Sequence, residues 1–196
     1  MAAFTPQNPD FEVHVRESFT RLTLMRTIGG RLLRIAPGEI EIDLPFREDL
    51  TQHHGFTAAA VLTAIADVAC GYAAMSLMPA GASPLTVEYK VNFVSPAQGE
   101  RMYARGHVIR PGRTLTACSG NVFAVVEGRE KLVATMLATI IRVGGERGAP
   151  SSQSEQGTHR ALHDSGTNRG LRRPRSWCVC RGRGFRQRLR EVAGVS

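Results

Sequence analysis

Between Phe56 and Met78 the chain runs for 23 residues, FTAAAVLTAIADVACGYAAMSLM, with no proline and a single glycine, Gly71. Ala, Leu and Met recur throughout, so the run predicts one helix of roughly 34 Å if it is unbroken. Apolar side chains surround it on nearly every side, which reads as a buried central helix rather than an amphipathic surface one. A membrane span is the competing reading of so apolar a run. Asp67 in its middle, and flanks without Lys or Arg anchors, argue against that. The remainder of the chain must therefore supply apolar walls for this helix.

Asp67 is the one ionisable side chain in the run. Burial of a carboxylate among Ala, Val, Ile and Cys is costly without partners, and desolvation would raise its pKa toward the range useful to a general base. The alternative is an Asp that is partly exposed, or hydrogen-bonded to a neighbouring segment for structural reasons.

The walls are legible on both sides of the run. Residues 10 to 27 place Phe11, Val15, Phe19, Leu22 and Met25 or Arg26 at helical spacing behind a capping Asp10, and Gly29-Gly30 ends that helix. RLLRIAPGEIEIDLPF then reads as two strands around Pro37-Gly38, with Ile40, Ile42 and Leu44 alternating against Glu39, Glu41 and Asp43. After the Pro79 to Pro84 break, Leu85, Val87, Tyr89, Val91 and Phe93 alternate with Thr86, Glu88, Lys90 and Asn92. Three more strands follow, near 100–109, 114–126 and 131–142, split by Pro111-Gly112 and Glu127-Gly128. Helix, two strands, long helix and four strands make an α+β chain, a curved antiparallel sheet wrapped around one long central helix. That is the hotdog fold.

Charge divides the chain. Residues 1 to 143 carry 14 Lys plus Arg against 13 Asp plus Glu, whereas residues 144 to 196 carry 11 Arg, no Lys and 4 acids. The basic balance thus belongs to the tail, and the patterned body is not read as a nucleic-acid-binding fold. The organisation expected is an N-terminal helix over 1–29, one domain over 30–143, and an Arg-rich tail over 144–196 whose composition favours disorder. A nucleic-acid-binding arm and out-of-frame coding are the alternatives for that tail. Cys70 and Cys118 fall in apolar segments and read as small core residues, while Cys178 and Cys180 lack a second ligand pair, so no metal or disulfide framework is expected. No basic region precedes an apolar one near Met1, so no export signal is expected and a reducing cytoplasm is the default.

The segments TQHHGFTAAAVLTAIADVACGYAA, LTVEYKVNFVSPAQGE, ARGHVIRPGRTLTACSGNVF and KLVATMLATI resemble, in order and spacing, the PaaI-like group of hotdog acyl-CoA thioesterases over residues 30 to 143. The resemblance implies hydrolysis of an acyl-CoA, of medium or long chain or with an aryl acyl group, to the free acid and CoA. It implies no cofactor or metal. It also implies a homodimer, or a homotetramer built from two, with active sites at the subunit interface. Asp67 matches the family's base or nucleophile, contributed by the facing subunit, and Thr86 matches the hydroxyl residue that orients it. Ala59 matches the residue whose backbone N–H polarises the thioester carbonyl at the helix start, where the helix dipole favours developing negative charge. Gln52 and Gly55 match the family's loop Asn or Gln and its Gly, Phe56 stands beside them, and Arg110 and Arg113 flank a turn where relatives meet CoA phosphates.

The departure from the pattern lies at Ala58, Ala59 and Ala60, which stand where the family carries His-Gly-Gly or His-Ala-Gly. The Ala59 N–H survives this change, but methyl groups replace the glycines that let substrate approach the backbone. His53 or His54 is a candidate to replace the missing imidazole; otherwise they are solvent-facing loop residues. Phe56, Leu62, Ile65 and Met75 are the expected acyl pocket. A non-catalytic acyl-CoA-binding protein is the second reading, motivated by Ala58 to Ala60. A hotdog hydratase is excluded, since no Asp-x-Asn-x-x-x-His pattern is present.

Overall fold

The central helix, α3, spans Ala59–Met75 and is shorter at both ends than the apolar run predicts. The computed structural model describes residues 4–145, so the Arg-rich tail beyond Gly145, with Cys178 and Cys180, lies outside the described residues. At the start of α3, the Thr57 N–H is drawn to the Ala97 carbonyl and Thr57 bridges Thr51, which holds Phe56 and Thr57 extended. At its end Leu77 and Met78 bond back to Ala74 and Met75 as single turns and stay buried. Among the described residues no helix is long and apolar enough to cross a membrane.

The segment expected as one N-terminal helix is two, α1 over Phe11–Arg21 and α2 over Thr23–Ile28. Leu22 adopts an extended backbone between them, ψ 96°, and the break turns Met25 and Ile28 inward. Both join Val15 in the same apolar cluster as α3 and the sheet.

Six strands form one antiparallel sheet: β1 Arg31–Ala36, β2 Glu39–Pro45, β3 Ala82–Phe93, β4 Arg101–Arg110, β5 Leu115–Val126 and β6 Arg129–Gly144. Their spatial order is β1-β2-β4-β5-β6-β3, so β1 and β3 are the edges. Ile40, Ile42 and Leu44 of β2 are buried as the alternation predicts, because that face meets α3. In β3 the simple alternation fails. A bulge between Thr86 and Glu88 changes parity, so Leu85 pairs with Ile141, while Thr86 pairs with the fully buried Ile140 and Tyr89 with Ala138. Thr86 thereby faces the helix.

Two glycines decide how closely α3 can lie on the sheet. Gly106 of β4 and Gly120 of β5 are direct ladder partners. A Cβ on Gly106 would sit 2.3 Å from the Ala69 backbone, and one on Gly120 would sit 2.9 Å from Cys70 Sγ. The helix answers with Ala66, Ala69, Cys70 and Ala73, all buried. Small residues on both surfaces bring backbone to backbone and remove the void that larger, mismatched side chains would leave.

Candidate active site

Asp67 lies near the middle of α3, half-buried, on the side that faces β3. The Thr86 hydroxyl donates to Asp67 Oδ1 at 2.7 Å. This side-chain contact between two expected site residues is completed within the single chain. It exists because the β3 bulge turns Thr86 inward where plain alternation from Tyr89 and Val91 would turn it out. Asp67 Oδ2 has no hydrogen-bond partner among the described residues.

The start of α3 carries a different kind of group. Ala58 precedes the helix with φ −61° and ψ 139°, and no side chain caps it. The Ala58 N–H is bound to the Leu50 carbonyl, and Val61 and Leu62 both donate to the Ala58 carbonyl. The N–H groups of Ala59 and Ala60 have no partner among the described residues, and both residues are exposed. Unpaired N–H groups at the positive end of a helix dipole favour an oxyanion or other negative charge. Ala59 and Asp67 are eight residues apart on one rigid helix, a rise of about 12 Å, so one copy cannot bring both to the same carbonyl.

The loop before α3 is braced from within. Gln52 donates its N–H to the Phe56 carbonyl, Gly55 donates to the Gln52 carbonyl, and Gln52 Oε1 accepts from the His54 N–H. Gly55 takes φ +81°, a conformation that glycine adopts without strain, and no other atoms crowd its Cα. Gln52 and Gly55 therefore shape the turn. His53 and His54 stand exposed on it with ring centroids 4.0 Å apart.

Arg110 and Arg113 are at the other end of the molecule. Their hairpin follows Val108, whose N–H donates to the Gly38 carbonyl, and the Gly38 N–H donates in turn to Ser76 at the C-terminal end of α3. Both arginines are exposed and make no ion pair among the described residues. Within one chain they are separated from Ala59 by the length of the helix.

Of the expected acyl pocket, Phe56 lines a cavity. Leu62, Ile65 and Met75 are packed into the core instead, because the small-residue contact with Gly106 and Gly120 pulls α3 tightly against the sheet. The cavity, about 700 Å³, lies beyond the start of α3 and is lined by Phe46, Gly55, Phe56, Pro96, Val126 and Lys131 among others. Sequence reasoning missed Phe46, Pro96, Val126 and Lys131. Burial pushes the thiol of Cys118 up to about 12 and raises that of Cys70 further, with Cys118 and Asp67 as its neighbours. Neither is a thiolate nucleophile at neutral pH. Among the described residues no group of three or more His, Cys, Asp and Glu could hold a metal ion.

The fold has counterparts among known proteins. The profile of the thioesterase superfamily matches residues 54–130. A thioesterase family protein of Silicibacter pomeroyi is 45% identical, with a TM-score of 0.68 over 69% of this chain and 99% of that one. The PaaI protein of Escherichia coli, from the phenylacetic acid degradation operon, shares the fold at 16% identity, with a TM-score of 0.63 over 71% of this chain and 97% of that one. A Saccharolobus solfataricus protein, named provisionally as an esterase, is 25% identical over 92 residues, which are 47% of this chain and 65% of that protein. The identity to the Silicibacter protein across almost its entire length, joined to a family match that spans the α3 entry, Asp67 and Thr86, means that the chain belongs to the thioesterase superfamily and is built on its PaaI-like hotdog fold.

Proposed function

We propose that this chain is an acyl-CoA thioesterase that hydrolyses its substrate to a free acid and CoA in a site shared between two copies. The observation that carries this reading is the Asp67–Thr86 hydrogen bond, set about 12 Å along the same helix from the free Ala59 N–H. A base and an oxyanion donor that cannot meet within one chain can meet across two. β3 is a long edge strand with Leu85, Val87, Tyr89 and Phe93 exposed, whereas the other edge, β1, has six residues and carries Arg31 and Arg34. An apolar edge of that length favours pairing with its own copy. Antiparallel β3 pairing would set the α3 start of one copy beside Asp67 and the Arg110–Arg113 turn of the other.

In that site the thioester carbonyl accepts from the Ala59 N–H, and Ala60 stands next in line. Asp67 takes a proton from water as its oxygen attacks the carbonyl carbon, and Thr86 holds the carboxylate in place. Collapse of the tetrahedral intermediate breaks the carbon–sulfur bond and releases CoA thiolate, which takes up a proton, together with the acid. The partner's turn would offer its two arginines to CoA phosphates. The mechanism requires no metal or cofactor.

CoA release measured over a panel of acyl-CoAs is the direct test. Asp67→Asn is expected to lower the turnover number at least about 100-fold with an unchanged unfolding midpoint. Full activity in that variant would exclude the mechanism, as would full activity of a monomer identified by light scattering. The second reading, a non-catalytic acyl-CoA-binding protein, draws on the exposed Ala59 and Ala60 methyls at the place where the substrate carbonyl must approach. Tight binding without CoA release would favour it.

A further inference from the structure

The concave face of the sheet outlasts the helix that covers it, and the uncovered part is not uniformly apolar. Leu44, Met102 and Ala124 form one ladder row, all buried on the helix side, and the fourth member of that row is Lys131. Residues that face each other across a ladder share a face of the sheet. Plain alternation along β6, counted from the buried Ala134, would place Lys131 on the outer side. The register shift at Val122/Phe123 pairs Val122 with Ala134 but Phe123 with Leu132, and the extra residue, Val133, turns Lys131 inward. Bulges re-aim side chains in this way.

Lys131 thus enters the 700 Å³ cavity beside Phe46, Phe56, Pro96 and Val126. Its ammonium makes no ion pair among the described residues. Glu100, also in the wall, already accepts from the Glu127 N–H. Phe56 is three residues ahead of Ala59, so the cavity opens within roughly 10 Å of the free N–H groups. Lys131 is exposed at the cavity wall, which also carries Gln98 and the Glu100 carboxylate among its apolar residues, and one cation so placed is a poor receptor for the several phosphate charges of CoA. It suits an apolar chain that ends in one anion.

We infer that this cavity receives the acyl group of the substrate and that Lys131 selects acyl groups ending in a carboxylate. The inference rests on the thioesterase reading for its substrate, and its test can be separated from that reading. Non-hydrolysable thioether analogues carrying a hexyl or a carboxypentyl group on CoA measure binding by calorimetry, and hexanoyl-CoA and adipoyl-CoA measure turnover.

The wild type is expected to favour the carboxylated member of each pair. Lys131→Met should lower that preference about tenfold, the scale of one hydrogen bond to a charged group. Lys131→Glu should invert it. Val126→Trp, which fills the chamber, should weaken both thioethers, and Lys90→Met, the chain's other lysine, should keep the wild-type ratio. A binding ratio that ignores Lys131→Met and Lys131→Glu overturns the inference even if Asp67→Asn abolishes turnover. A ratio that shifts with Lys131 in a protein that hydrolyses nothing upholds the cavity assignment and overturns the catalytic one.

Discussion

The two ends of α3 are made from the same few residue types and are used in opposite ways. From Ala69 to Met75 every residue is buried, Gly106 and Gly120 lie directly beneath, and Ser76 both accepts from the Gly38 N–H and donates to the Ala73 carbonyl. At the other end Ala59 and Ala60 are exposed, their N–H groups are free, and the sheet runs on past the helix into a cavity. Helix ends ordinarily satisfy their orphan groups with side chains or turns. The C-terminal end does so and closes the core, and the N-terminal end leaves donors and space for a substrate. Asp67 sits where the buried half begins, half-buried itself, with Thr86 holding one carboxylate oxygen. Substitutions at the closed end should therefore act on stability, and those at the open end on activity.

The largest expected effect is at the closed end. In Gly106→Val the new Cβ would fall 2.3 Å from the backbone of Ala69, and backbone cannot turn aside as a flexible side chain can. The helix must lift from the sheet, at a cost of at least about 3 kcal/mol. Denaturant unfolding should show the midpoint collapsing or no folded protein at all. A midpoint within experimental error of the wild type would mean that the helix is not seated as described.

The next effect belongs to the open end and should leave stability alone. Ala59 is the first helical residue, where proline is well tolerated because its missing N–H is one of the orphans, and Ala58 already holds the extended backbone that a following proline demands. Ala59→Pro therefore deletes the proposed oxyanion donor with little else. CoA release should fall about 100- to 1,000-fold while the unfolding midpoint stays put or rises. Equal falls in both would assign the residue a structural role and break the contrast between the two ends.

How much of this was legible beforehand follows the same division. The order of elements and the buried face of β2 could be read from the period of the apolar residues, since Ile40, Ile42 and Leu44 alternate without interruption. The ends of α3 could not, because Phe56 and Thr57 are as apolar or neutral as helix residues, and it is bonds to Gln52, Thr51 and the distant Ala97 carbonyl that hold them extended. The family resemblance paired Asp67 with Thr86, and the structure gives the pair its physical basis in the β3 bulge. Lys131 was hidden for the same reason. A bulge changes which face a side chain takes, and the local pattern KLVATM contains no sign of where the parity breaks. The placement of Arg110 and Arg113 far from Ala59 depends on strand direction, which composition does not record.

The smallest of the effects refines the closed end. Ser76 is fully buried, and its hydroxyl is the partner of the Gly38 N–H at 2.8 Å and of the Ala73 carbonyl at 2.7 Å. Gly38 is itself buried at φ +76°, in the turn that joins β1 to β2, so its N–H has no water to fall back on. Ser76→Ala removes one small atom and creates little cavity, but it leaves that donor unsatisfied, at a cost of about 1–3 kcal/mol. Substitution of Gly38 could not isolate the bond, because any side chain there would be strained and would strike Phe4. The midpoint of thermal unfolding should drop by several degrees in Ser76→Ala. The turnover number for whichever acyl-CoA proves best should stay within about twofold, since the bond lies at the far end of the helix from the same chain's Ala59. The same turn neighbours Arg110 and Arg113, however, so a rise in KM without a change in kcat would show that the closed end of one copy serves the open end of its partner through the phosphate-binding turn.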